Sequence, residues 1–505
     1  MHVVTKELSI QSRYYKEILS ILKLNGGVAR IVGGAVRDAI LNVVNYDIDI
    51  ATNLLPKQVT DILSKANITV IPTGIKHGTV TALVKNEKFE ITTLRKDIKC
   101  DGRSAEVIFT DDFMEDATRR DFTINALSYC PFEHKIYDYF GGIDDLRQSK
   151  VIFIGQAFER IQEDFLRILR FFRFSCYYAA QLDLDGLNAC IKLKENLRLL
   201  SKERIKWEMD KLIISDNSPD ILQQMFDNGI LQIILPVSQF DKKYLSEAIS
   251  FGSLETMSFL RKQESKEIDR KGVLDILDPC FRRDDIMVSR DNIKGSRDER
   301  SRDIYDGTMS FLRKQESKEI DRKDVLNILD PCFRRDDIMV SRDDIQGSRD
   351  DIEEVQMPLS LAIYTRYSLL FYHIKNLSLS DLLNLKFSRQ IAVKITTILK
   401  VINREINEFV LREIWLENGD YLQYISVLVS LGKVDRTVAK KFLDRYSSIP
   451  RPIFPIKGHD LQKLNIHGKA IGILLDKLKK DWIESDFTFN KNQLLKLLLD
   501  NQVFD

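Results

Sequence analysis

The 505 residues carry 76 Lys+Arg against 75 Asp+Glu, a formal net charge of +1, so no overall basicity announces a polyanionic partner; a local basic face remains compatible with one. Hydrophobic residues at 44% and charged residues at 30% are ordinary for a globular chain long enough for several domains. No apolar run approaches the roughly 20 residues of a membrane span, the N-terminal stretch has no basic-then-apolar order, and Cys100, Cys130, Cys176, Cys190, Cys280 and Cys332 form no CxxC pair. These features predict a cytoplasmic protein with no membrane association, no zinc site, no disulfide framework and no obligate protein partner.

From about residue 28 to 150, β-rich runs (VARIVGG, YDIDIA, TVTALV, FEITTL, VIF) alternate with helical stretches, which predicts an α/β head over 1–150. Near its start a strand ends in Gly33 and Gly34 and runs into a helical pattern bearing Arg37. Glycines let backbone N–H groups approach a triphosphate, and the helix start and the guanidinium add positive potential. About ten residues later come Asp47 and Asp49. On a strand, residues two apart share a side, and two carboxylates held together repel unless a cation joins them. Oxygen donors that leave positions for water and phosphate favour Mg2+. A lone DxD is more often a solvated strand face; the phosphate cradle upstream turns the reading toward a metal site. Glu90, on another strand-like run, is a candidate third carboxylate. His77 is read as structural, not as a general base.

From about 156 onward the apolar spacing is helical, as in FLRILRFFRF and KERIKWEMDKLII, and residues 151–254 are predicted as a helical neck with the start of a body. Asp164 and Arg167, three apart on a helix, would present an acceptor beside a donor. Cytosine and adenine offer the matching amino donor and ring-nitrogen acceptor, whereas guanine and uracil do not. Arg170 and Arg173, then Lys202, Arg204 and Lys206, extend a basic face along which an RNA backbone could run.

Residues Thr256–Asp298 recur at Thr308–Asp350 with four changes: Gly272 to Asp324, Asp275 to Asn327, Asn292 to Asp344 and Lys294 to Gln346. Surface and core letters agree alike, unlike a solenoid, whose surface positions drift. The segment resembles protein-coding palindromic repeat elements inserted in frame in some intracellular bacteria, and 255–354 is expected to be a disordered surface insert. The rest, 355–505, reads as helical body and tail, with Lys457, Lys463, Lys469, Lys477, Lys479 and Lys480 as candidate contacts to folded RNA.

The motifs GGAVRD, the DxD, EITTLR, RRDFTINAL, DYFGGIDDL, ERIQEDFLRILRFFRF and LSKERIKWEM occur in the order seen in class II tRNA nucleotidyltransferases and bacterial poly(A) polymerases. The resemblance is strong from about Ala29 to Ile214 and returns in FPIKGHDLQKLNIHGKAIGILLDKLKKDWIE. It implies an α/β polymerase-β-type nucleotidyltransferase head followed by an all-helical neck, body and tail. It further implies two Mg2+ ions on Asp47 and Asp49, sugar and phosphate binding by Arg120, Asp121 and Asn125, and base selection by Asp164 and Arg167. The implied reaction is untemplated addition of C, C and A to the 3′ end of tRNA from CTP and ATP. A poly(A) polymerase, an enzyme adding only C or only A, and an inactive RNA-binding relative are the alternatives. The family's flexible region falls between Arg95 and Glu115, around Asp101-Gly102-Arg103. Asn42 stands where many relatives carry glycine.

Overall fold

The computed structural model describes residues 2–251 and 363–501, apart from 11, 13, 44, 46, 86, 101–104, 375, 419, 447 and 448. The duplicated segment at 255–354 and the Asp101-Gly102-Arg103 stretch lie outside the described residues. The chain divides into two compact units, with Met1–Ser238 in the first and Ser388–Asp505 in the second.

The first unit begins with an eight-stranded sheet in the order β1-β10-β9-β2-β3-β6-β5-β4. These strands are β1 (His2–Thr5), β2 (Ala29–Val32), β3 (Ile48–Thr52), β4 (Thr69–Gly74), β5 (Thr79–Val84), β6 (Glu87–Thr93), β9 (Ser128–Cys130) and β10 (Lys135–Asp138). Ile, Val and Thr dominate the central strands, where branched side chains fit a pleated surface. β3 and β6 run parallel, while β2 pairs antiparallel with both β3 and β9. A separate hairpin, β7 (Arg95–Cys100) with β8 (Ala105–Phe109), occupies the predicted flexible region.

Helix α1 (Tyr14–Leu24) packs on α3 (Pro56–Lys65), which begins with proline at its first position, where a missing N–H costs nothing. Between them in sequence lies α2 (Gly34–Ile40); after it Asn42 takes φ 58°, a left-handed conformation that asparagine tolerates nearly as well as glycine. The departure at Asn42 therefore leaves that turn intact. α4 (Phe113–Thr118) is capped by Asp112, which accepts the Met114 N–H at 2.8 Å, and α5 (Gly142–Arg147) follows β10.

The helical part opens with α6 (Ala157–Glu163), α7 (Leu166–Tyr178), α8 (Leu184–Leu193) and α9 (Lys202–Ile213), then α10 (Ser218–Asp227) and α11 (Leu231–Ile234). Phe122, Phe153, Phe171 and Phe174 are buried against one another, with Phe122 4.8 Å from Phe153 and 5.4 Å from Phe174. This aromatic cluster fixes the RRDFTIN segment of the head onto α7, and α7 packs on α9.

The second unit is helical among the described residues. Its helices include Arg389–Ile402 and Glu408–Glu417, capped by the side chains of Ser388 and Asn407. Its last helices close over a core of Ile456, Leu461, Leu478, Trp482, Ile483, Leu494 and Leu498.

Candidate active site

The glycine turn follows β2, Asp47 and Asp49 stand at the start of β3, and Glu90 lies midway along the neighbouring β6. Val32 pairs with Asp49 across the antiparallel ladder, and Asp49 pairs with Glu90 across the parallel one. Asp47, one residue before β3, shares Asp49's side of the strand by alternation. Burial pushes the Asp49 carboxyl up to about 7, helped by the charges of Asp47 and Glu90 and opposed by Arg120. Desolvation also raises Asp47, against the pull of Lys211, and raises Glu90, with Asp47 adding to it. The three carboxylates thus feel one another. Among the described residues, however, no group of three or more His, Cys, Asp or Glu side chains is close enough to hold a metal. Glu90 therefore stands beside the aspartate pair on the neighbouring strand and does not complete a three-carboxylate cage.

Gly33 takes φ 68° and ψ −128°, a conformation that only glycine adopts without strain. A Cβ there would sit 3.0 Å from Arg120 Nη1. A Cβ on Gly34 would meet only ordinary contacts, at 3.5 Å or more. The segment leading to Asp47 is tied back to α2, since Asn45 donates to Asp38 at 2.7 Å and accepts the Asp47 N–H at 2.8 Å.

Arg37, Asp121, Asn125 and Arg170 form one buried polar chain. Arg37 donates to Asp38 through Nε at 2.8 Å and to Asn125 through Nη1 at 2.5 Å, with Tyr178 stacked 4.2 Å from its guanidinium. Asn125 donates to Asp121 at 2.9 Å, and Asp121 accepts Arg170 at 2.7 Å. Arg170 and Arg173 both pair with Glu208, which is 1% exposed. Arg120 bonds the Asn125 carbonyl and Asp116. Arg37, Asp121 and Asn125 are thus engaged with protein, so the predicted direct contacts to a sugar or phosphate would need these bonds to exchange. Of this set Arg120 is the cation that faces Asp49.

The Asp164–Arg167 arrangement differs from the expectation. Asp164 lies in a break between α6 and α7, with φ −151° and ψ 108°, so the two residues do not share one helix face. Asp164 Oδ1 instead accepts the N–H of Leu166, the first residue of α7, at 3.1 Å, and Phe165 stands between them at the N-cap position. Asp164 Oδ2 pairs with Arg204 at 2.8 Å. Arg167 binds the Arg160 carbonyl at 2.7 Å, the Arg119 carbonyl at 3.1 Å and Glu163 at 2.6 Å.

Among the predicted RNA contacts, Lys202 is exposed, while Lys206 is paired with Asp210, Arg173 with Glu208 and Arg204 with Asp164. In the second unit Lys457, Lys463, Lys469, Lys477 and Lys480 are exposed, and Lys479 pairs with Glu417. His77 is exposed, and its backbone carbonyl accepts Arg95.

Four participants were not anticipated: Asp116, Arg160, Glu208 and Lys211. Lys211 lies 3.8 Å over the Trp207 ring and acts on Asp47. Its spacing from Arg204 and Trp207, at seven and four residues, was the available signal for a shared helix face.

Residues 29–152 match the family model described as "Poly A polymerase head domain", and 181–240 match "Probable RNA and SrmB- binding site of polymerase A". The chain is 43% identical over 225 residues to the mitochondrial CCA tRNA nucleotidyltransferase 1 of Homo sapiens, covering 42% of this chain and 51% of that one. It thus spans about half the length of that relative. It is 31% identical over 320 residues to the CCA-adding enzyme of Streptococcus gordonii, covering 59% of this chain and 76% of that one. Its fold is that of the Bacillus stearothermophilus CCA-adding enzyme solved in complex with CTP, with TM-score 0.61, 20% identity, and 97% and 98% of the two chains covered. Sequence order, fold and the extent of these matches agree: the chain belongs to the family of CCA-adding tRNA nucleotidyltransferases and poly(A) polymerases.

Proposed function

We propose that this protein adds C, C and A to the 3′ end of tRNA without a nucleic-acid template, using CTP and ATP and releasing pyrophosphate. The observation that carries the reading is the convergence of the Asp47–Asp49 pair with the Gly33-Gly34 turn and Arg120, in the same compact unit as Asp164 and Arg167.

Asp47 and Asp49 are the residues that would hold Mg2+. They fit it because both offer carboxylate oxygens, and the Asp49 carboxyl, raised by burial, is raised further by its like-charged neighbours, a repulsion that a divalent cation relieves. When bound, the metal would supply the charge that lowers the pKa of the RNA 3′-hydroxyl and steadies the leaving pyrophosphate. The protein groups do the placing. Backbone at Gly33 and Gly34 approaches the phosphates, with Arg120 behind it. Asp121 and Asn125 hold Arg37 and Arg170 in place. The neck residues Asp164 and Arg167 address the base edge, and Lys202 meets the RNA backbone. In-line attack on the α-phosphorus needs little further acid–base work.

Cytoplasmic placement is proposed from the cysteines: Cys130, Cys176 and Cys190 are buried free thiols, as a reducing compartment allows. No helix among the described residues is long and apolar enough to cross a membrane.

The test is incubation of the full chain with Mg2+ and tRNA lacking its CCA end, offering each labelled NTP singly and then CTP with ATP. Addition of two C residues and one A, abolished by Asp47→Ala, supports the proposal. Long A tails on many RNAs would replace it with a poly(A) polymerase, the reading favoured by the description of the head-domain match. Binding of tRNA with no incorporation would identify an inactive relative.

A further inference from the structure

We infer that Arg204 is a specificity-determining positioning residue, which aims the Asp164 carboxylate at the nucleobase; this rests on the proposed role of Asp164 in base selection.

Asp164 receives no direction from a regular helix, because it sits extended between α6 and α7. Two contacts fix its carboxylate: the Leu166 N–H on Oδ1 at 3.1 Å and the Arg204 Nη2 on Oδ2 at 2.8 Å. The first is a local contact, two residues along the chain. The second arrives from α9, and it is a charge-assisted bond, the stronger kind. Arg167 cannot supply this guidance. Three of its N–H contacts go to the Arg119 and Arg160 carbonyls and to Glu163.

Arg204 is itself well anchored. The first turn of α9 is capped by Ser201, which accepts the Arg204 N–H at 3.4 Å. One turn further on, Glu208 is buried and gripped by Arg173 at 2.6 Å, which holds α9 against α7. The Asp164–Arg204 pair keeps 26% and 33% side-chain exposure, so its outer edge is open to a ligand.

The selectivity follows from the chemistry of a carboxylate, which accepts hydrogen bonds and offers none. Held in one direction, it welcomes the exocyclic amino group of cytosine or adenine. The carbonyl oxygen that uracil or guanine presents at the same place is left facing two lone-pair-bearing oxygens. If the carboxylate can swing away, that penalty falls while phosphate binding in the head persists.

The experiment compares Arg204→Ala, Arg204→Gln and Arg204→Lys with Asp164→Ala in the full chain. It measures kcat/KM for CTP, UTP, ATP and GTP on the tRNA primer, with folding monitored by thermal melting. The expected result for Arg204→Ala is a fall of about tenfold or more in the CTP:UTP and ATP:GTP ratios, the scale of one good base contact. Arg204→Lys should restore part of the ratio, since an ammonium can still hold one carboxylate oxygen. A lower rate with unchanged ratios would mean a merely structural role and would overturn the inference. If Arg204→Ala fails to fold, Arg204→Gln takes its place in the same comparison. Asp164→Ala separates the two layers: if it changes the ratios and the Arg204 variants do not, only this inference fails; if neither changes them, the base-selecting role of Asp164 fails as well.

Discussion

The Asp121 carboxylate accepts one N–H bond from Arg170, from Nε to Oδ2 at 2.7 Å, and Nη2 of the same guanidinium pairs with that oxygen at 2.6 Å. This ion pair joins the RRDFTIN segment to α7. Burial alone would raise Asp121, but Arg170, Asn125 and the Phe122 N–H outweigh it and hold the carboxyl below its ordinary range. Removing the cation would leave a buried charge without its partner, a change that costs about 3 kcal/mol or more. Arg170→Met should therefore lower the unfolding free energy by about that amount, read by denaturant titration.

The same pair sets a dependence on acid. A carboxyl depressed in the folded state contributes stability that is present above its unfolded value and is lost as pH falls through the folded one. Between neutral pH and strong acid, the wild type should lose stability more steeply than Asp121→Asn, which has no proton to take up. Equal slopes for the two proteins in melting experiments across that range would remove Asp121 from the acid response.

How much of this was legible in the sequence depended on range. Asp47 and Asp49 came out of strand alternation, because period-two geometry survives almost any packing. The Gly33 turn came out of residue type. The partners of Asp121 and Asp164 did not, since Arg170 lies 49 residues from the one and Arg204 lies 40 residues from the other. The break at Asp164 has a local cue in its residue type: a short acidic side chain that bonds the N–H two residues on offers the backbone an alternative to the helix. Lys211 was hidden in a helix that reads as amphipathic core, and only folding brings its charge near enough to act on Asp47.

The two glycines of the turn should separate when substituted. Gly33→Ala forces a Cβ into a positive-φ conformation and to 3.0 Å from Arg120 Nη1, so it should cost about 1–3 kcal/mol of stability as well as activity. Gly34→Ala meets only ordinary contacts and should fold normally. If the backbone at Gly34 approaches the triphosphate closely, its alanine variant should nevertheless raise KM for CTP and ATP. A Gly34→Ala enzyme with unchanged KM would move the phosphates away from this turn.

Like charges held on neighbouring strands imply a trade between stability and the proposed activity. Asp49 is raised by burial first and then by Asp47 and Glu90. Asp49→Asn removes one of the three like charges, and in chelator at pH 8 it should stabilise the metal-free protein by on the order of 1 kcal/mol. The same variant should have no measurable nucleotide transfer. A melting temperature below that of the wild type would show that Asp49 is held mainly by contacts and not by the repulsion described here.

Lys211 gives the opposite electrostatic sign and a separate readout. Its ammonium stacks 3.8 Å over Trp207 and draws Asp47 down, against the larger effect of desolvation. A fixed cation beside a carboxylate competes with a divalent ion for it, yet on the proposed reading it also favours the polyphosphate of the incoming nucleotide. Lys211→Met keeps an unbranched stem against the indole and deletes only the charge. The half-saturating Mg2+ concentration should fall about two- to fivefold, as expected for a contribution of roughly 0.5–1 kcal/mol at a partly solvated pair. Over the same series KM for CTP should rise. A rise in both quantities would place the ammonium against the ligand, away from Asp47, and a fall in both would show that Lys211 does not touch the triphosphate.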